Sequence, residues 1–125
     1  MKKIEVVAAV IKYKDKYLCC QRSDNGETGL KWEFPGGKIE PGETHEEALH
    51  RELSEELSIK VGIDKFLMTI THQYKTFHLT MHCYSCTASD EEFHLHEHID
   101  AKWLTVKEMA KLDWAEADIP VLIKL

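Results

Sequence analysis

From Val6 to Ile11 the chain is almost continuously apolar, the pattern of a strand covered on both faces. Lys14-Asp15-Lys16 predicts a turn and Tyr17 to Gln21 a returning strand. Residues 23 to 31 are polar, carry Gly26 and Gly29, and read as a loop. Trp32-Glu33-Phe34 follows as a short extended piece, and Pro35-Gly36-Gly37 signals a chain reversal. The clearest helix comes next. Thr44 and Glu47 form a capping box, and Ala48, Leu49, Leu53 and Leu57 make an apolar stripe at helical spacing. Phe66 to Tyr74 and Phe77 to Thr87 predict a pair of strands, with Leu79, Met81 and Cys83 alternating with His78, Thr80 and His82. Ala101 to Leu104 is another short strand. A second capping box, Thr105 and Glu108, opens a helix reaching about Leu112, and Ile119 to Leu125 closes the chain as a last helix. Strands and helices interleave, so the expected fold class is α/β, a mixed sheet flanked by helices.

The length of 125 residues suits one domain with one core, spanning 1-125. A net charge of −6 argues against gripping a nucleic-acid polymer, which calls for clustered Lys and Arg. A small anionic ligand remains open if a divalent metal supplies positive charge locally. The apolar run near the N-terminus is interrupted by Glu5 and too short to span a bilayer, so it reads as a strand and neither a signal peptide nor a membrane anchor. Cys19, Cys20, Cys83 and Cys86 are the four cysteines. Without a secretory segment they are expected as free thiols in a cytoplasmic protein. The Cys83-Tyr-Ser-Cys86 spacing lacks the second pair that a tetrahedral zinc site needs.

The candidate chemistry lies on the first helix. At 100° per residue, Glu52, Glu55 and Glu56 fall within one arc of about 100°, bordering the leucine stripe. Like charges at i,i+4 oppose helix formation by roughly 0.2–0.5 kcal/mol per pair, so folding does not ask for this cluster. Hard divalent cations do, since Mg²⁺ takes carboxylate oxygens, waters and phosphates. The bland alternative is a solvated acidic face, softened by Arg51 pairing with Glu47 and Glu55. The Gly36-Gly37 turn just upstream favours the metal reading, because a backbone carbonyl there can add a ligand where a side chain would obstruct it.

Gly37, five residues, Glu43, seven residues, then Arg51-Glu52-Leu53-Ser54-Glu55-Glu56-Leu57-Ser58-Ile59 resembles the signature box of the Nudix hydrolases. Trp32 to Glu40, Glu97 to Trp103 and Ala117-Asp118-Ile119-Pro120 extend the likeness to the MutT-type branch acting on nucleoside triphosphates, and within it to the small CTP pyrophosphohydrolases. One position departs: Ser58 stands where the family usually has glycine, at a helix end that favours a left-handed residue, a cost on the order of 1 kcal/mol.

The resemblance implies a Nudix fold, a sheet sandwiched between helices, and hydrolysis of a nucleoside triphosphate to monophosphate and pyrophosphate. It implies that Glu52, Glu55 and Glu56, with the Gly37 carbonyl, hold Mg²⁺, Mn²⁺ being an alternative ion. Arg51 and Glu43 would orient these carboxylates by ion pairing. A water polarised by the metal attacks an internal phosphorus in line, and Glu52 or Glu97 takes its proton. Glu97 also stands as a metal ligand. It sits in His94-Leu95-His96-Glu97-His98, where the histidines invite a zinc reading, although harder oxygen ligands suit this chemistry. Lys38 is placed to stabilise phosphate charge and Arg22 to reach the nucleotide, with ordinary surface cations as the alternative. Phe34 and Phe77 are candidate walls for the base, or plain core.

Asp118 stands where the 8-oxo-dGTP enzymes of the family have an asparagine. An ionised aspartate only accepts hydrogen bonds, which fits a cytosine amino group and points to CTP or dCTP; a protonated one would mimic asparagine. Oxidised guanine nucleotides are the second substrate. A non-catalytic nucleotide-binding module is the rival from another class, but it would be expected to lose box carboxylates that this chain keeps. The chain is expected to act on small nucleotides as a monomer or weak homodimer.

Overall fold

The computed structural model describes residues 2–125. The strands are β1 (Lys2–Tyr13), β2 (Lys16–Gln21), β3 (Trp32–Glu33), β4 (Gly36–Lys38), β5 (Gly62–Gln73), β6 (Phe77–Thr87) and β7 (Asp100–Leu104); the α-helices are α1 (His45–Leu57), α2 (Val106–Met109) and α3 (Ile119–Ile123). All seven strands join one mixed sheet, ordered β3-β2-β1-β6-β5, with β4 on β1 and β7 on β2. β1 runs parallel to β6 along most of its length, from Lys2 opposite Phe77 to Lys12 opposite Thr87.

The alternation of β1 divides the core. Val7, Ala9 and Ile11 face α1, where they pack with Ala48, Leu49, Leu53 and Leu57. Ala8 and Val10 face the other way and pack with Met109, Trp114, Ala117 and Val121. Helices therefore cover both faces, the α/β/α arrangement expected from the resemblance. The near-continuous apolar run of Val6 to Ile11 is explained by this double burial.

Several boundaries differ from the sequence reading. The chain reverses at Pro35 as expected, since β3 is antiparallel to β2 and so runs with β1, whereas β4 runs against it. The part not foreseen is that Gly36–Lys38 is itself a strand, paired antiparallel with Val6, Val7 and Ala8. A Cβ on Gly36 would run into the Val7 carbonyl, so the glycine serves close strand approach. The second helix stops at Met109 instead of Leu112, because the Trp114 indole N–H takes the Met109 carbonyl at 2.8 Å. β5 starts at Gly62, four residues before the expected Phe66, and register shifts between Ile63 and Lys65 and between Phe66 and Met68 hide its alternation in the sequence.

All four cysteines are buried free thiols. Cys83 packs in one core cluster and Cys86 in the other, so the CxxC spacing straddles the sheet. Among the described residues, no helix is long and apolar enough to cross a membrane.

Candidate active site

β1 gives up its edge to two partners. β4 pairs with residues Val6 to Ala8, and β2 only with Lys12 and Tyr13. Where β2 parts from β1, a cleft of about 660 Å³ opens, bounded by α1, β4 and the Asp118 turn. It is lined by Glu52, Glu55, Glu56, Gly37, Lys38, Arg51, Glu97, Arg22, Phe34, Phe77 and Asp118. Every site residue expected from the sequence except Glu43 thus borders one cavity.

The α1 turn lies on its floor. Glu56 is only 7% exposed, and its Oε1 has no hydrogen-bond partner among the described residues. Burial, and then the nearby charges of Glu33, Glu52 and Glu97, push its pKa up to about 9. Glu52 is raised too, first by burial, although Arg51 works against the shift. Glu55 is the exposed member of the three, 3.4 Å from Arg51. A Cβ on Gly37 would overlap the Glu52 carboxylate, so any side chain there would displace that carboxylate from its present place.

Arg51 organises the rim. Its Nε and Nη2 donate to the two Glu43 oxygens at 2.7 and 2.8 Å, and its Nη1 donates to Glu52 Oε1 at 2.8 Å. Nη2 also reaches the Lys38 carbonyl at 2.9 Å. This fork holds the Glu43 carboxylate at a pKa of about 2. Glu43 therefore acts on the cleft through Arg51 without lining it.

Glu97 arrives on a loop stitched to the end of α1. The His94 N–H donates to the Leu57 carbonyl at 2.8 Å and the His96 N–H to the Glu56 carbonyl at 3.1 Å. Ser58 adopts the left-handed conformation that its position demands, φ 52° and ψ 39°, and its hydroxyl lies 2.7 Å from His96 Nε2. That contact is unavailable to glycine. Ser58→Ala is expected to lose it at a cost of about 1 kcal/mol. Ser58→Gly is expected to come out near neutral, because relief of the left-handed strain offsets the loss. Urea denaturation of the two variants checks this.

The His94–His98 histidines do not gather into a zinc cluster: His96 meets Ser58, and His98 Nε2 sits 2.9 Å from Glu33 Oε2. Glu33 is the cleft residue that the sequence reading left without a role. It is the largest charge contribution to the raised Glu56 pKa and is 3.2 Å from Arg22. Its signal was an acidic residue between two aromatics on a strand.

At the far end, Asp118 is 4% exposed, and its Oδ1 accepts from the Phe34 N–H at 3.0 Å. Burial, reinforced by Glu33, raises its pKa well above the carboxylate range, against the lowering effect of the Phe34 bond. The direction of this shift favours the protonated form, a donor as well as an acceptor, over the acceptor-only carboxylate. Phe34 leans on Trp114, with centroids 4.9 Å apart, and Phe77 stacks on Tyr74 at 4.8 Å. The Tyr74 hydroxyl accepts from the Ala117 N–H at 3.0 Å, fastening this wall to the Asp118 turn.

Acidic oxygens converge on the floor, one of them buried and orphaned. Such a donor set suits a hard divalent cation, which would supply the charge that burial withholds. Glu52, Glu55, Glu56, Glu97 and the Gly37 backbone are the groups able to hold it.

The NUDIX domain profile matches residues 6–124. The chain is 38% identical to a CTP pyrophosphohydrolase of Escherichia coli K12, over 98% of this chain and 90% of that protein. It is 42% identical to an 8-oxo-dGTP diphosphatase of Proteus vulgaris over 64% of this chain and 72% of that one. A solution structure of a MutT protein of the Nudix family from methicillin-resistant Staphylococcus aureus 252 superposes with a TM-score of 0.78 at 42% identity, covering 99% and 96% of the two chains. The glutamate helix packed on a mixed sheet and the matches along nearly the whole length agree: this chain belongs to the Nudix family and is a Nudix hydrolase.

Proposed function

We propose that the protein hydrolyses nucleoside triphosphates to monophosphate and pyrophosphate with Mg²⁺, preferring cytosine nucleotides. The observation that carries the reading is the buried Glu56 carboxylate, one oxygen of which has no hydrogen-bond partner among the described residues, facing the same cleft as Asp118. Glu52, Glu55, Glu56, Glu97 and the Gly37 carbonyl hold the ion, which when bound supplies positive charge against the phosphates and polarises the attacking water. Glu52 and Glu97 are the candidate acceptors of the water's proton. Arg51 keeps the Glu52 carboxylate aimed into the cleft, and Glu43 steadies Arg51. Lys38 presents a point charge to the phosphates, and Arg22, fixed by Glu33, guards the opposite rim.

Phe34 and Phe77 flank the base, and Asp118 reads its edge. One Asp118 oxygen is engaged by Phe34; a neutral carboxyl can still accept from cytosine N4 and donate to N3. The CTP pyrophosphohydrolase relative that spans nearly the whole chain supports this preference. The second reading, 8-oxo-dGTP, is favoured by the same neutral Asp118, which offers the donor and acceptor of an asparagine, and by the Proteus vulgaris relative.

A panel of nucleoside triphosphates at fixed Mg²⁺ decides between them. If 8-oxo-dGTP exceeds CTP and dCTP by more than about tenfold in kcat/KM, the cytosine preference is wrong. Asp118→Ala is expected to lower kcat/KM for the preferred nucleotide about 10–100-fold, the value of a good two-point base contact. Asp118→Asn should retain most activity. Because Asp118 must stay protonated to donate, wild-type kcat/KM is expected to fall as pH rises through its raised pKa, and Asp118→Asn should lose that alkaline limb.

A further inference from the structure

On the α1 face of the sheet, away from the cleft, three side chains point at one another. Glu5 lies on β1, His82 on β6, and His45 is the first residue of α1. Ile4, Val6 and Val7 border the cleft, whereas the exposed Glu5 side chain is not part of its lining. His82 Nε2 is 2.6 Å from Glu5 Oε2, and the His45 and His82 rings stack with centroids 4.3 Å apart. One donor atom from each of the three lies within 4.8 Å of the other two.

The outer ring nitrogens are already held. His82 Nδ1 is 2.9 Å from the Thr69 hydroxyl, and His45 Nδ1 is 2.7 Å from the Tyr84 hydroxyl. Such partners fix ring orientation and tautomer in metal centres, and a hydroxyl can accept from Nδ1–H or donate to bare Nδ1. Among the described residues the hydrogen bond of His45 uses Nδ1 and not Nε2, and His82 Nε2 is hydrogen-bonded to the Glu5 carboxylate.

We propose that Glu5, His45 and His82 form a second metal site, selective for imidazole-seeking divalent ions such as Zn²⁺ and distinct from the carboxylate site of the cleft. Two imidazoles and one carboxylate leave a fourth position to water. Two nitrogen ligands select against Mg²⁺, which prefers oxygen. The ion replaces the proton between His82 Nε2 and Glu5, and that proton leaves to solvent. Occupancy ties the first turn of the catalytic helix to β1 and β6.

The test titrates Zn²⁺ by calorimetry into protein saturated with Mg²⁺, for wild type, His45→Ala, His82→Ala and Glu5→Gln. Wild type is expected to take up one Zn²⁺ with proton release and a rise in Tm. His45→Ala and His82→Ala should lose both responses while keeping Mg²⁺-dependent turnover. Tyr84→Phe and Thr69→Val, which leave the ligands intact, should weaken Zn²⁺ binding about 10–100-fold. The exposed Glu5→Gln should also weaken it, and serves if a histidine variant fails to fold. The proposal is overturned if wild type takes up no Zn²⁺ in Mg²⁺. It is equally overturned if the histidine variants bind Zn²⁺ as wild type does, which would place the ion on the cleft carboxylates or on His94–His98.

Discussion

Glu56→Gln is expected to abolish most turnover while making the metal-free protein more stable above neutral pH. The catalytic loss follows from weakening the cation site: a metal ion contributes several kcal/mol of charge stabilisation, so kcat should fall on the order of 10³-fold. The stability gain follows from burial. In the folded, metal-free chain Glu56 holds its proton up to a pKa of about 9, against 4.5 for an ordinary glutamate. The folded state therefore binds the extra proton between those values. The stability this contributes is complete below about pH 4.5 and drains away as pH rises towards about 9.

Glutamine removes the ionisation and should flatten that decline. In chelator near pH 8 the variant should exceed wild type in stability by up to about 5 kcal/mol, the value of the roughly 3.5 pH units above the ordinary glutamate pKa. Urea midpoints across the pH range, together with turnover in Mg²⁺, separate the two effects. Unchanged turnover and Mg²⁺ dependence would refute the role given to Glu56.

Arg51→Ala carries the second large effect, opposite in sign for stability. Arg51 joins Glu43, Glu52 and the Lys38 carbonyl through one guanidinium, and the Arg51, Glu43 and Glu52 side chains are mostly shielded, at 23%, 17% and 14% exposure. Removing it strands the Glu43 and Glu52 carboxylates without their shared counter-charge, and leaves Glu52 unopposed beside Glu56. A cost of about 2–3 kcal/mol is expected, with Tm lower by roughly 10 °C. The kcat should fall about 10–100-fold as Glu52 loses its orientation. Arg51→Lys should restore little, since an ammonium cannot reproduce the two-pronged grip on Glu43. Thermal unfolding and steady-state kinetics of both variants check this; full recovery in the lysine variant would mean that charge alone matters.

The sequence made α1 legible because its signals are local. The Thr44–Glu47 box, the leucine stripe and the clustered glutamates all fall within a few turns, and the helix begins and ends where they indicate. β4 was illegible because its identity depends on a gap along β1 that only the tertiary arrangement creates. Glu33 escaped notice for a similar reason: a two-residue strand gives no alternation to show which way a side chain points. The raised pKa of Asp118 is likewise a product of burial among distant segments, with Phe34 on one side and Tyr74 with Ala117 on the other. Residue type at that position indicates a base contact but not its charge.

The divided edge of β1 has a thermodynamic corollary. One wall of the cleft is backbone ladder, so it cannot collapse by rotamer changes; closing it would mean breaking strand pairing. A nucleotide entering such a preorganised trough meets a scaffold whose ordering entropy was settled during folding, and more of its contact energy remains to discriminate one base from another.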